Sequence, residues 1–278
     1  MKKKLISLWG LCAAAIFTAL VLTSATFAWF TSNRQVGTDR VSARAGSNAL
    51  ELQIGRMDSG SFQPETDNEV ILKNQTSPLM PVSTADLKTF VYNPMTVDGF
   101  AEEFLPTEDE SLYYHDTIYL RAKGDGMPQG TKVTLYLDNT DTPIVETVDG
   151  ELLTAARLGL TFNSASPVII ALSTVNEGSS NTRPGGIAIG SDQVLSYANG
   201  RVTAVKDPAV SLADAQITAG GTPGKAPLAT LELNQLYAVD VYFYLEGCDP
   251  DCNETISTQT CELYLGFFGM VDGEGGAA

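Results

Sequence analysis

Alternation with a period of two dominates this chain. Asp116–Gly124 (DTIYLRAKG) sets Ile118 and Leu120 on one face, and Thr131–Asn139 does the same with Val133, Leu135 and Leu137. Ala156–Ser164 repeats the pattern with Leu158, Leu160 and Phe162, while Val168–Leu172 is an unbroken apolar run. Leu228–Asn234 alternates at Leu231 and Leu233, Leu236–Gly247 is the longest such segment, and Cys261–Gly269 closes the series. Val41–Gly55 adds one or two more. Residues i, i+2 and i+4 of a strand share a face, so these segments, rich in Val, Ile, Tyr and Phe, predict strands. Helical signals are short. Ser83 or Thr84 leads Asp86 and Leu87, and Ser211 leads Asp214, each enough to start one or two turns. Segments 176–200 and 218–227 are rich in Gly, Ser and Pro and predict exposed loops. Seven or more strands with few helices point to an all-β fold. The expected architecture is an antiparallel two-sheet sandwich, jelly-roll-like, with long loops and one or two short helices. No internal repeat is evident, and residues 41–278 are read as one domain.

The first 28 residues break the pattern. Lys2, Lys3 and Lys4 precede a nearly continuous apolar run from Leu5 to Leu22, and small residues follow at Thr23, Ser24, Ala25 and Ala28. A basic head, an apolar middle and a small-residue end make a secretory signal peptide, here predicted to be cut between Ala28 and Trp29. An uncleaved signal anchor is the alternative, because about 20 apolar residues also span a bilayer. The membrane is expected to be met only through this segment.

Charge narrows the partners. The chain carries 33 Asp+Glu against 17 Lys+Arg, a formal net charge of −16. Removing residues 1–28 takes away three lysines and no acid, leaving −19. Such a surface repels phosphate backbones, so nucleic acid is not an expected partner. Four cysteines occur. Cys12 lies in the leader, whereas Cys248, Cys252 and Cys261 crowd the C-terminal part. Outside the cell three thiols suggest one bridge, with Cys252–Cys261 or Cys248–Cys261 preferred over Cys248–Cys252.

Catalytic chemistry is sparse. The single histidine, His115, has no H-E-x-x-H context, and no G-x-S-x-G elbow accompanies it. His115 at the start of a strand reads as an edge residue. No Gly-rich phosphate loop of standard spacing occurs; RPGGIAIG lacks the lysine. No catalytic residue is assigned, and no cofactor is expected, calcium being the one ion considered. Its candidate ligands are Glu246, Asp249, Asp251 and Glu254 in LEGCDPDCNET, four carboxylates beyond the longest strand. The spacing is not that of an EF-hand, and Asp-Pro-Asp is also ordinary turn chemistry.

The leader ending in ATFAWFTSN, followed by VSARAGSNALELQIG, resembles the TasA/camelysin family of Gram-positive bacteria. LYAVDVYFYLEGCDPDCNETI and CELYLGFFG are similar to the closing strand, acidic cysteine loop and last strand of its clostridial branch. These matches cover about 65 residues at the two ends of the chain. Cys248 and Cys261 depart from the family's usual pattern. The resemblance implies processing by a dedicated ER-type signal peptidase, with Trp29 and Phe30 opening the mature protein. It further implies a jelly-roll subunit at the cell surface or in the extracellular matrix, where such proteins polymerise into biofilm fibres by donor-strand complementation, with an accessory matrix protein as a further partner. Residues 29–40 are the expected donor, anchored by Trp29, Phe30 and Val36. Two other readings stand beside this one: a monomeric adhesin or glycan-binding sandwich using the loops between 176 and 227, and a camelysin-like metalloprotease, for which the sequence offers no zinc-ligand set.

Overall fold

The computed structural model describes residues 36–45, 50–65, 69–75, 77–96, 99–100, 103–139, 144–147, 152–173, 181–183, 187–218, 221–252, 256 and 261–271. The leader, Ala28, Trp29, Phe30 and Glu254 lie outside them. Nine principal strands carry the fold: β1 (Val36–Ala45), β2 (Leu50–Asp58), β3 (Tyr114–Gly124), β4 (Lys132–Leu137), β5 (Ala156–Phe162), β6 (Val168–Ala171), β7 (Ala229–Glu232), β8 (Leu236–Glu246) and β9 (Cys261–Val271). One sheet runs β7-β4-β9-β1, ending on the short strand Glu69–Val70; the other runs β6-β5-β8-β3-β2, flanked by Val210–Ser211 and Ser61–Pro64. Each alternating segment read from the sequence is a strand here. The fold is an all-β sandwich, mostly antiparallel, with two one-turn α-helices among the described residues, Leu152–Ala155 and Leu212–Ala215.

Alternation decides which side chains meet between the sheets. Ile118 and Leu120 of β3, Leu158 and Leu160 of β5, and Val239 and Val241 of β8 are all fully buried. They join Val133 and Leu135 of β4 and Leu263 and Leu265 of β9 in one apolar cluster. Only the steps β2–β3 and β5–β6 stay within one sheet; every other step between principal strands crosses from one sheet to the other. That wrapping spreads each local segment over both layers, so the core forms only when distant parts of the chain have come together.

Two positions show what the close packing requires. A Cβ on Gly266, in the middle of β9, would fall 1.8 Å from the Asp138 carbonyl oxygen. The chain leaving β4 crosses β9 there, with the Asp138 N–H donating to the Gly266 carbonyl at 2.7 Å. Asp116 takes an inward position in β3 between Tyr114 and Ile118 and is 1% exposed. Arg56 of β2 reaches both its carboxylate oxygens, one at 2.8 Å, and the Lys73 N–H donates to it at 3.0 Å. A buried charge survives where a bidentate partner and extra donors replace its water. Burial alone would raise the Asp116 carboxyl, but the Arg56 hydrogen bond, the Lys73 N–H and both nearby cations outweigh it and hold it below its usual value.

A small annex covers the outer face of the second sheet. Pro81–Ser83 pairs parallel to the end of β8, then Phe90–Tyr92 and Leu105–Thr107 follow antiparallel. The hairpin Gln193–Ala198/Arg201–Lys206 completes it. Two expectations change here. The helix expected after Ser83 is a pair of side-chain-capped turns: Thr84 Oγ1 accepts from the Leu87 N–H, and Asp86 Oδ1 from the Lys88 and Thr89 N–H groups. Leu87 then adopts φ +54°, which ends any helix before a second turn. The loop expected over 176–200 contains strand Ile187–Ile189 and the first arm of the hairpin. Ser211 does cap the one-turn helix Leu212–Ala215, accepting from the Asp214 N–H at 3.2 Å.

Candidate functional site

Two places in this frame bear on function: the pairing of the first described strand with the last, and the turn that follows β8.

β1 lies parallel to β9, from Val36 opposite Cys261 to Ala45 opposite Gly269. The register steps between Thr38 and Val41, where Asp39 and Arg40 face the single residue Tyr264, so β1 carries one extra residue there. Such a bulge bends and twists a strand locally. On its other side β1 pairs with Glu69 and Val70, through Ser42 and Val41. Among the described residues the rest of that edge has no strand beside it. Unpaired N–H and C=O groups along an edge are a template for another chain. Of the expected donor segment, 36–40 already belong to β1 of the same chain. The strand thus begins at Val36, five residues earlier than the alternation at Val41 predicts; Trp29 and Phe30 lie outside the described residues.

The turn beyond β8 is built around a cation that sequence reading passed over. Arg157 in β5 alternates outward, where a polar residue is expected, yet it is 3% exposed. Its Nη2 donates to Asp249 Oδ2 at 3.0 Å and lies 3.6 Å from Asp207 Oδ2. Asp249 Oδ1 accepts from the Asp251 N–H at 3.0 Å, closing the turn. Glu246, the last residue of β8, accepts from the Cys248 N–H at 3.0 Å and is 1% exposed. Burial pushes the Glu246 carboxyl up to about 7, against the opposing pull of Arg157, the Ser83 and Cys248 hydrogen bonds, and with Asp207 adding to the rise. Asp251 is likewise raised by burial and then by Asp249. Of the four candidate calcium ligands, then, Asp249 is bound to Arg157, Glu246 accepts from the Cys248 N–H, Asp251 follows in the turn, and Glu254 is not described. Among the described residues no group of three or more His, Cys, Asp or Glu side chains is arranged to hold a metal ion. The signal that could have found Arg157 is an arginine flanked by apolar residues in a strongly acidic chain.

The three described cysteines, Cys248, Cys252 and Cys261, are all buried. Cys252 and Cys261 pack into the main core, and Cys248 into a separate cluster with Val91, Phe104, Ile189 and Leu195. Cys261 opens β9 as a thiol, so the bridges expected through it are not formed in this structure. Burial, with a further push from Glu262, raises that thiol to about 12, and a thiol that does not ionise does not exchange. His115 stacks on Tyr242 with ring centroids 4.5 Å apart. It stands 3.6 Å from Glu110 and 3.8 Å from Asp240, whose carboxylate instead accepts the Thr117 and Thr161 hydroxyls.

Comparison with protein families, curated proteins and solved structures found no match.

Proposed function

We propose that this chain is an exported structural subunit of a bacterial surface or extracellular-matrix fibre, and that subunits join by exchange of β1. The observation that carries this reading is the parallel seating of β1 on β9, with its outer edge covered, among the described residues, only by Glu69–Val70. The two segments that resemble the TasA/camelysin family meet in this pair. A strand at one end of the chain, inserted beside the strand at the other, can leave one subunit and enter the next with every contact reproduced. Exchange of identical contacts creates little new interaction energy and needs none. Donor and acceptor surfaces differ, so the contact is heterologous and gives an open filament. The exchanged element in this reading is Val36–Ala45, carried on residues 29–35, rather than 29–40 alone. No catalytic role is proposed, and neither nucleic acid nor a resident cofactor enters the reading. Electron microscopy of purified protein beginning at Trp29 tests it. Filaments that lengthen with concentration are expected. A monodisperse monomer at every concentration and ionic strength tried would favour the adhesin reading instead.

A further inference from the structure

β1 changes phase in its middle. Val36 and Thr38 stand opposite Cys261 and Leu263 of β9, whereas Val41, Ala43 and Ala45 stand opposite Leu265, Phe267 and Gly269. Residues opposite one another in neighbouring strands share a face of the sheet. Cys261, Leu263, Leu265 and Phe267 are all buried, and Ala43 and Ala45 pack against the main core. The inward positions are therefore even-numbered before the bulge and odd-numbered after it. An unbulged pairing with Val36 opposite Cys261 would bring Arg40, Ser42 and Arg44 to those positions instead.

The groove is marked at the same place. On its far side β9 pairs with Val145–Thr147 through 261–263 and with β4 through 267–271, so its partner changes in between. At that junction the Tyr264 N–H donates to the Ile144 carbonyl at 2.8 Å, and the Tyr264 carbonyl accepts from Asn139 Nδ2 at 3.3 Å. Tyr264 is the residue that β1 passes with one residue too many. A bulge bends the strand that carries it, and β9 follows that bend most readily where no strand ladder holds its other side.

We infer that the bulge at Asp39–Arg40 is a register key: it lets β1 seat on β9 in one alignment, and so sets where the β1 of a second copy of this chain stops in the groove. The inference rests on the exchange of β1 proposed above. Within one chain β1 is tied to β2 through residues 46–49. An exchanged strand has no such tie to the subunit that receives it, so its alignment must be set by the strand and the groove. A slip of one residue turns the apolar set outward. A slip of two keeps the faces but moves the extra residue off the junction. It then falls opposite Glu262, which the ladder holds through Glu146, or opposite Gly266, where the Asp138 carbonyl leaves no room even for a Cβ.

Oxidation of paired cysteines in filaments grown from protein beginning at Trp29 tests the key. Gly37→Cys with Glu262→Cys reports the seated alignment; Ser42→Cys with Tyr264→Cys and Arg44→Cys with Met270→Cys report the two slips. On a denaturing, non-reducing gel the first pair should give a ladder of multimers and the other two should not. Deletion of Arg40 removes the extra residue and leaves the other pairings available. Its filaments should keep the first ladder and gain one from a slipped pair. A slipped ladder with the bulge intact overturns the key and leaves strand exchange standing, as do filaments of the deletion variant that ladder through the first pair alone. Filaments that ladder through none of the three pairs contradict strand exchange itself, and the key with it. Should the deletion variant fail to fold, the intact strand decides: a ladder from the first pair alone upholds the key, and one from either slipped pair overturns it.

Discussion

Single residues show where this fold bears unusual costs. Asp116 occupies a core position in a strand that otherwise alternates cleanly, and Arg56 is what makes it tolerable. Nothing in the alternation of β3 marks Asp116 as inward with a partner; a strand pattern places a side chain on a face but does not say which distant residue meets it. Removing the cation should leave a buried carboxylate supported by the Lys73 ammonium and by the Lys73 and Thr117 N–H groups. Arg56→Met is expected to cost about 2 to 3 kcal/mol at neutral pH, below the usual figure for a fully buried pair because Arg56 is 28% exposed. Because folding depresses the Asp116 carboxyl, its contribution is present above the unfolded value of 3.8 and is lost as pH falls through the folded one. Urea unfolding at pH 7 and in strong acid checks both parts: the gap between variant and wild type should close in acid. A gap that persists would mean that packing of the Arg56 stem, rather than the ion pair, is what the substitution removed.

At the scale of elements, the sandwich strands were readable because burial between two sheets imposes a period of two on the sequence itself. β1 was read only from Val41, since its first residues are polar and its bulge at Asp39–Arg40 breaks the period. The annex was missed for a different reason. Its strands are short, and its hairpin lies in a stretch whose Gly and Ser content resembles a loop. Yet Asn199-Gly200 between two alternating arms is a strong local hairpin signal. Both residues have positive φ, +53° and +75°, as the tight turn between right-twisted arms demands. Gly200→Ala puts a Cβ on a left-handed residue and should destabilise the hairpin by about 1 kcal/mol. Amide exchange should show faster opening from Gln193 to Lys206 with β3, β5 and β8 unaffected. Protection unchanged in the hairpin would show that its turn conformation is set by packing on Val91 and Phe104 and not by the glycine.

For the whole molecule, the site read least well was the one that required distant segments to meet. The acidic turn was visible as a cluster of carboxylates, but its cation lies 92 residues away in sequence at Arg157. The pairing of β1 with β9, more than 200 residues apart in the chain, is equally invisible to local pattern. It is also where the fibre reading stands or falls. The high negative charge opposes close approach of subunits, so assembly through an exchanged strand should strengthen with salt. The most direct measurement is a cross-link across the pair. Gly37 and Glu262 face each other in register, and Gly37→Cys with Glu262→Cys sets two thiols opposite one another at the start of the strands. Oxidised filaments run on a denaturing, non-reducing gel should give a ladder of dimers, trimers and higher multiples, while dilute monomer should give a single internally linked band. Filaments that yield only the internally linked monomer would contradict strand exchange.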